Sequence, residues 1–250
     1  MTLGISPFRA RAPWWGGDLQ TVRNLMLPQP PGLAGERLWL DTDDGSGDRL
    51  TALWHRPDAE RADAPAVMLI HGLSGSEDSP YMAISARYFL RRGHQVLRFN
   101  MRGAGPSRRH CRWQYHAGRS EDLRAAIAAL PERLTANGIV IIGFSLGGNM
   151  ALKYAAEFGA GQAIAALVSV SAPIDLAATS RNMLRHRNLL YNRHLLRGFQ
   201  AEVLAEGSQF SEDEREAVLK SRNFVELDDC FVAPRNGFAD AWDYYAKAMS

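Results

Sequence analysis

The sequence predicts an α/β fold: a mostly parallel, doubly wound sheet with helices on both faces. Three observations carry that expectation. From Pro65 onward, short apolar runs alternate with helix-forming stretches through short connections, the pattern of repeated strand–helix crossovers. The runs Ala66–Ile70 and Ile139–Ile142 are apolar at every position, as a strand buried on both faces must be. The second run passes through Gly143-Phe144-Ser145-Leu146-Gly147 straight into the helix-forming stretch Met150–Glu157: strand, sharp turn and helix, with a serine at the apex.

Length and composition suit such a fold. The chain has 250 residues, of which 46% are hydrophobic and 22% charged, enough for one sizeable core, and no linker separates two domains. A formal net charge of +2 argues against a polyanionic partner such as nucleic acid. Cys111 and Cys230 supply neither a disulfide framework nor metal-ligand spacing, which fits a reducing compartment. Arg9, Arg11 and Asp18 interrupt any signal-peptide pattern, and no apolar stretch approaches the roughly 20 residues of a membrane span. The chain therefore reads as cytoplasmic, with peripheral membrane or lipid contact left open.

Taken in order, residues 1–35 form a proline-rich arm with a short helix expected near Leu19–Leu27, and Trp14 and Trp15 are expected to pack rather than bind ligand. Glu36–Leu40 and Leu50–His55 flank the Gly- and Asp-rich segment 41–48, which predicts a β-hairpin with a solvated acidic turn. Strands are expected at Ala66–Ile70, Gln95–Phe99, Ile139–Ile142 and Ala165–Val170. The intervening helices are expected at Tyr81–Arg92, closed by Gly93, and at Ser120–Leu130, opened by Ser120, Glu121 and Asp122. Residues 175–236 turn helical and polar, with Arg181, Arg185, Arg187, Arg193 and Arg197. They read as a helical cap over the sheet's C-terminal edge, with a capping box at Ser211–Glu214. Phe238–Lys247 is a last helix.

The Gly143–Gly148 turn carries the chemistry. A serine on such an elbow sits in a strained backbone conformation, clear of the chain and near the free N–H groups of the new helix. It reads as a nucleophile. An activated serine also needs a base, a group to orient that base, and donors for an oxyanion. Strand 66–70 leads into His71-Gly72-Leu73, and in a doubly wound sheet this loop lies beside the elbow. The backbone N–H groups of Leu73 and Leu146 are then the expected oxyanion donors.

Other constellations are weaker. Arg98, Arg102, Arg108, Arg109, Arg112 and Arg119, interleaved with Trp113 and Tyr115, read as a solvated loop and helix face rather than a nucleic-acid stripe. His110, Cys111 and His116 are too few for zinc, and Gly103-x-Gly105 lacks the third glycine of a dinucleotide turn, so no metal or cofactor is expected.

The loop His71–Tyr81, the turn Asn100-x-Arg102-Gly103, the elbow Gly143–Asn149 and the stretch Gly237–Tyr245 together resemble the YheT-like branch of the α/β-hydrolases, which includes the ABHD1/3-type enzymes. The resemblance covers nearly the whole chain. It implies an α/β-hydrolase fold with an N-terminal hairpin and a helical cap, and hydrolysis of carboxylic esters such as short-chain esters or acylglycerols. It also implies a triad in the order serine, acid, histidine, with the last two on loops beyond further strands. After Ser145 this chain offers Asp175 followed by His186 or His194, both in the arginine-rich cap segment, while His71 at a strand end suits a structural hydrogen bond. The acid and histidine are thus not identifiable in residues 1–250. The chain is expected to be incomplete at its C-terminus, with the last sheet strands missing and Ala165–Val170 left as an aggregation-prone edge. An acyltransferase on the same scaffold and a non-catalytic relative stand as alternatives.

Overall fold

The computed structural model describes residues 7–26, 30–159 and 163–250. The chain divides into a short unit ending at Pro31 and a large one from Gly32. In the short unit, helix α1 spans Gly16–Met26. Leu27, the expected end of that helix, lies outside the described residues. Trp15 is 64% exposed and Trp14 half-buried.

The large unit is built on a six-stranded sheet of order β1-β2-β4-β3-β5-β6. Strands β1 (Glu36–Asp41) and β2 (Arg49–His55) form the expected antiparallel hairpin. Strand β2 then pairs antiparallel with β4 (Val96–Asn100), while β4, β3 (Ala66–Ile70), β5 (Ile139–Phe144) and β6 (Ile164–Val170) run parallel. The all-apolar β3 is fully buried, as its composition requires. Strand β2, between β1 and β4, is buried at every position after Arg49. Strand β6 is an edge, and Val168 and Val170 are exposed there.

Helices cover both faces. Helix α2 (Pro80–Leu90) starts on a proline, which suits a first helical turn. Helix α3 (Ser120–Ala128) opens with Glu121 and Asp122 against its positive end, and a short α4 (Glu132–Thr135) follows. Helix α5 (Leu146–Phe158) leaves the elbow. After β6 the described chain is helical: α6 (Leu176–Met183), α7 (Leu189–Leu204), α8 (Glu212–Lys220), then α9 (Phe224–Leu227), a π-helical turn at Asp228–Val232, and α10 (Ala233–Arg235). The capping box at Ser211–Glu214 is formed. The last helix, α11 (Ala241–Ala248), starts three residues later than expected because Asp240 accepts a hydrogen bond from the Asp243 N–H and caps it there.

Two charged features differ from expectation. Arg98 and Arg102 are not on a solvated face: both are buried. Arg98 donates from Nε to His55 Nε2 (3.0 Å) and from its guanidinium to the carbonyls of Glu77 and Leu33. Arg102 pairs with Asp122, Asp48 and Asp44, so the acidic hairpin turn is not simply solvated either: Asp48 is buried against this guanidinium. A buried guanidinium requires paired carboxylates, and the turn and α3 supply them.

Candidate active site

At the elbow, Ser145 adopts φ 51°, ψ −119°, a conformation that L-residues avoid. Three interactions hold it there. Its N–H donates to Val170 O at the end of β6 (2.8 Å), and its carbonyl accepts from the N–H groups of Gly148 (2.8 Å) and Asn149 (3.2 Å). The flanking glycines allow the approach. A Cβ on Gly143 would collide with the Gly147 carbonyl, one on Gly147 with the His71 carbonyl, and one on Gly148 would lie 2.7 Å from Ser169 Oγ. Ser145 itself is exposed, and its Oγ makes no hydrogen bond among the described residues.

The loop after β3 lies against it. A Cβ on Gly72 would stand 3.1 Å from Ser145 Cβ, so no side chain fits between the loop and Ser145. The amides of this loop are held one by one. Gly72 N–H donates to Tyr81 Oη (2.9 Å), Ser74 N–H to Tyr115 Oη (2.8 Å) and Gly75 N–H to the Gly72 carbonyl (3.1 Å). Between them, the Leu73 N–H meets no acceptor among the described residues. Leu146 is the first residue of α5, where helix N–H groups have no intrahelical partner. The structure thus brings Ser145, Leu73 and Leu146 to one place at the C-terminal ends of β3 and β5.

His71 is committed to structure. It is fully buried, its Nδ1–H donates to the Gly72 carbonyl (2.7 Å), and its Nε2 accepts from the Met101 N–H (3.1 Å). A carbonyl can only accept, which fixes the tautomer. Burial pushes its pKa down to about 4, keeping it neutral. With both nitrogens occupied it shapes the loop and cannot take a proton from Ser145.

The rival acid and histidines are not gathered here. Asp175 caps α6, accepting from the Ala178 N–H (2.7 Å), and His186 and His194 are exposed on the helical segment with no hydrogen bond to Ser145 or Asp175 among the described residues. Sequence reasoning missed Tyr81, Tyr115 and Glu202. Tyr115 accepts from Ser74 and donates to Glu202 Oε2 (2.7 Å), partners 41 and 87 residues away, a distance at which no local pattern gives a signal.

A family model described as the alpha/beta hydrolase fold matches residues 65–246. The chain belongs to the α/β-hydrolase family. This α/β-hydrolase is 31% identical over 217 residues to "Putative esterase YheT" of Escherichia coli (strain K12), covering 85% of this chain and 63% of that protein. It is 25% identical over 239 residues to phospholipase ABHD3 of Mus musculus, covering 94% of this chain and 58% of the relative. The resemblance to the YheT-like branch is thereby borne out, and the chain spans less than two thirds of the length of either relative. Among solved structures it is similar to a highly thermostable carboxyl esterase from Bacillus coagulans in complex with glycerol, at 18% identity and a TM-score of 0.49, covering 88% of this chain and 73% of that one. No helix among the described residues is long and apolar enough to cross a membrane.

Proposed function

We propose that this α/β-hydrolase cleaves carboxylic esters through an acyl-enzyme on Ser145. The observation that carries this is the Leu73 N–H, left without an acceptor between two amides held by tyrosine hydroxyls, beside a serine on a strained elbow. In this proposal Ser145 Oγ attacks the ester carbonyl carbon and loses its proton to a base. The negative charge forming on the carbonyl oxygen is met by the N–H groups of Leu73 and Leu146. Collapse breaks the ester C–O bond and the alcohol leaves with the proton. Water then attacks the acyl-serine and releases the acid. Removing one such donor typically slows the chemical step about 10²–10³-fold. His71 is not the base, since both its nitrogens are engaged. The base and its orienting acid are not assigned to any described residue.

Small-molecule esters are the proposed substrates, short-chain esters or acylglycerols, in keeping with relatives named as an esterase, a phospholipase and a monoacylglycerol lipase. The helical segment 175–236 is proposed as a cap, because α7 packs on the oxyanion loop: a Cβ on Gly198 would stand 3.0 Å from Ser74 Cβ. A cytoplasmic site fits the free thiols of Cys111 and Cys230.

The test is covalent labelling of the native full-length protein with a fluorophosphonate, paired with hydrolysis of p-nitrophenyl esters of graded chain length. Labelling at Ser145 and its loss, together with turnover, in Ser145→Ala are expected. Labelling that persists in Ser145→Ala, or a native protein that neither labels nor hydrolyses, overturns the proposal. Adding an alcohol to the same assay separates hydrolysis from acyl transfer.

A further inference from the structure

We infer that Tyr115 and Glu202 form a positioning clamp that sets the orientation of the Leu73 N–H and ties the oxyanion loop to helix α7. The inference rests on the proposal that Leu73 is an oxyanion donor.

A peptide unit is a rigid plane, so fixing the N–H groups on either side of Leu73 leaves its own N–H little freedom. Tyr81 holds the Gly72 side and Tyr115 the Ser74 side. A phenol oxygen accepts well from an N–H only when its own hydrogen points elsewhere. Glu202 provides that direction by accepting the Tyr115 hydroxyl hydrogen at 2.7 Å, so the chain Ser74 N–H to Tyr115 to Glu202 has a single polarity. The far end lies on the inner face of α7, beside Phe199 and Val203, where Glu202 is buried.

A carboxyl group in such a place opposes folding unless it is used. Burial raises Glu202 to about 7, against the opposing effects of Tyr115 and Arg108. Gly198, one helical turn before it, lets the α7 backbone reach Ser74 directly. The helix therefore touches the loop twice, once through Gly198 and once through Glu202 and Tyr115. Ser74 itself has φ 55°, a conformation that needs external support. A shift of α7 would pass through these two contacts to the amide beside Ser145. The Tyr115 hydroxyl bonds to Ser74 and Glu202 and makes no hydrogen bond to Ser145 among the described residues, so its part is to position.

The experiment follows amide hydrogen exchange of the full-length protein at pH 7 by NMR, with kcat and KM for p-nitrophenyl butyrate, in wild type, Tyr115→Phe, Glu202→Leu, Glu202→Gln and Ser145→Ala. Gln keeps an oxygen that can accept from Tyr115, and Leu does not. The clamp predicts that Ser74 N–H exchanges at least tenfold faster in Tyr115→Phe and Glu202→Leu, while amides of β5 keep wild-type protection. It also predicts kcat about ten- to hundredfold lower at unchanged KM in those two variants, with Glu202→Gln close to wild type. Unchanged Ser74 protection in Tyr115→Phe, or a Glu202→Gln variant as impaired as Glu202→Leu, overturns the clamp. If Ser145→Ala retains wild-type turnover, the esterase proposal fails, and the exchange data still decide whether the clamp exists. If Ser145→Ala is dead and Tyr115→Phe matches wild type in both readouts, the clamp alone fails.

Discussion

Ser145 occupies backbone space that favours glycine, and its neighbours make that possible at a cost to stability. A non-glycine residue so placed typically carries about 1–3 kcal/mol of strain. Replacing it should therefore give two different outcomes. Ser145→Gly relieves the strain and is expected to be about 1 kcal/mol more stable than Ser145→Ala, although glycine loses more conformational freedom on folding. Urea denaturation of the two variants measures this, and equal stabilities would mean that the elbow is not strained. At this scale the sequence was most readable where a residue's role follows from its immediate neighbours. The glycines around Ser145 announce the turn because strand and helix must close within a few residues. The burial of Arg98 and Arg102 is illegible for the opposite reason. An arginine in sequence looks solvated unless its partners are adjacent, and Arg102 finds Asp48 and Asp122 far along the chain in either direction.

Between elements, Arg102 is the main polar tie. It stands at the end of β4 and joins the β1–β2 turn, through Asp44 and Asp48, to the first turn of α3, through Asp122. Burial works against its charge, but the hydrogen bonds and charges of these three carboxylates outweigh that and hold it above the usual arginine value. Asp122→Ala would leave a buried guanidinium short of its nearest partner and is expected to cost about 3–5 kcal/mol, with Asp122→Asn costing less. A thermal melt of both variants tests this, and a loss under about 1 kcal/mol for Asp122→Ala would show that the tie is dispensable. The strands were predicted to within a residue or two because apolar runs bounded by turn residues are local signals. The single polarity of Tyr115 and Glu202 depends on α7 meeting a loop from a distant segment, which no window of sequence contains.

For the whole molecule, buried titratable groups set how stability answers to pH. Burial, the largest influence on each, lowers His55 and His71 to about 4 and His116 to about 3. The unfolded chain takes those protons near pH 6.5, so it binds more protons than the folded protein between there and about 4, and stability falls on acidification. Burial raises Glu202 and Asp228 to about 7, so the folded protein holds these protons at a pH where the unfolded chain has lost them. Their contribution runs the other way, falling as pH rises from about 4.5 to 7. Burial also raises Asp122, so the carboxyls largely offset the histidines and the net response between pH 6.5 and 4.5 is shallow. Glu202→Gln removes one opposing group, and its stability is expected to fall more steeply on acidification over that interval, by about 1 kcal/mol per pH unit, in denaturant titrations. An unchanged slope would mean that Glu202 does not hold its proton in the folded protein.

The close approach of Gly198 to Ser74 gives α7 two unlike sides. Arg193, His194 and Arg197 on the outward side of α7 are exposed, and Leu190 is 81% exposed, so a lineage can exchange them without disturbing the interior. The inward side has no such latitude, because even a methyl group at position 198 would press on the loop beside Ser145. One helix thus carries a freely variable surface on its back and a fixed gauge on its front. Substitutions on the outward side are absorbed by solvent, whereas one at position 198 is felt directly at Ser74.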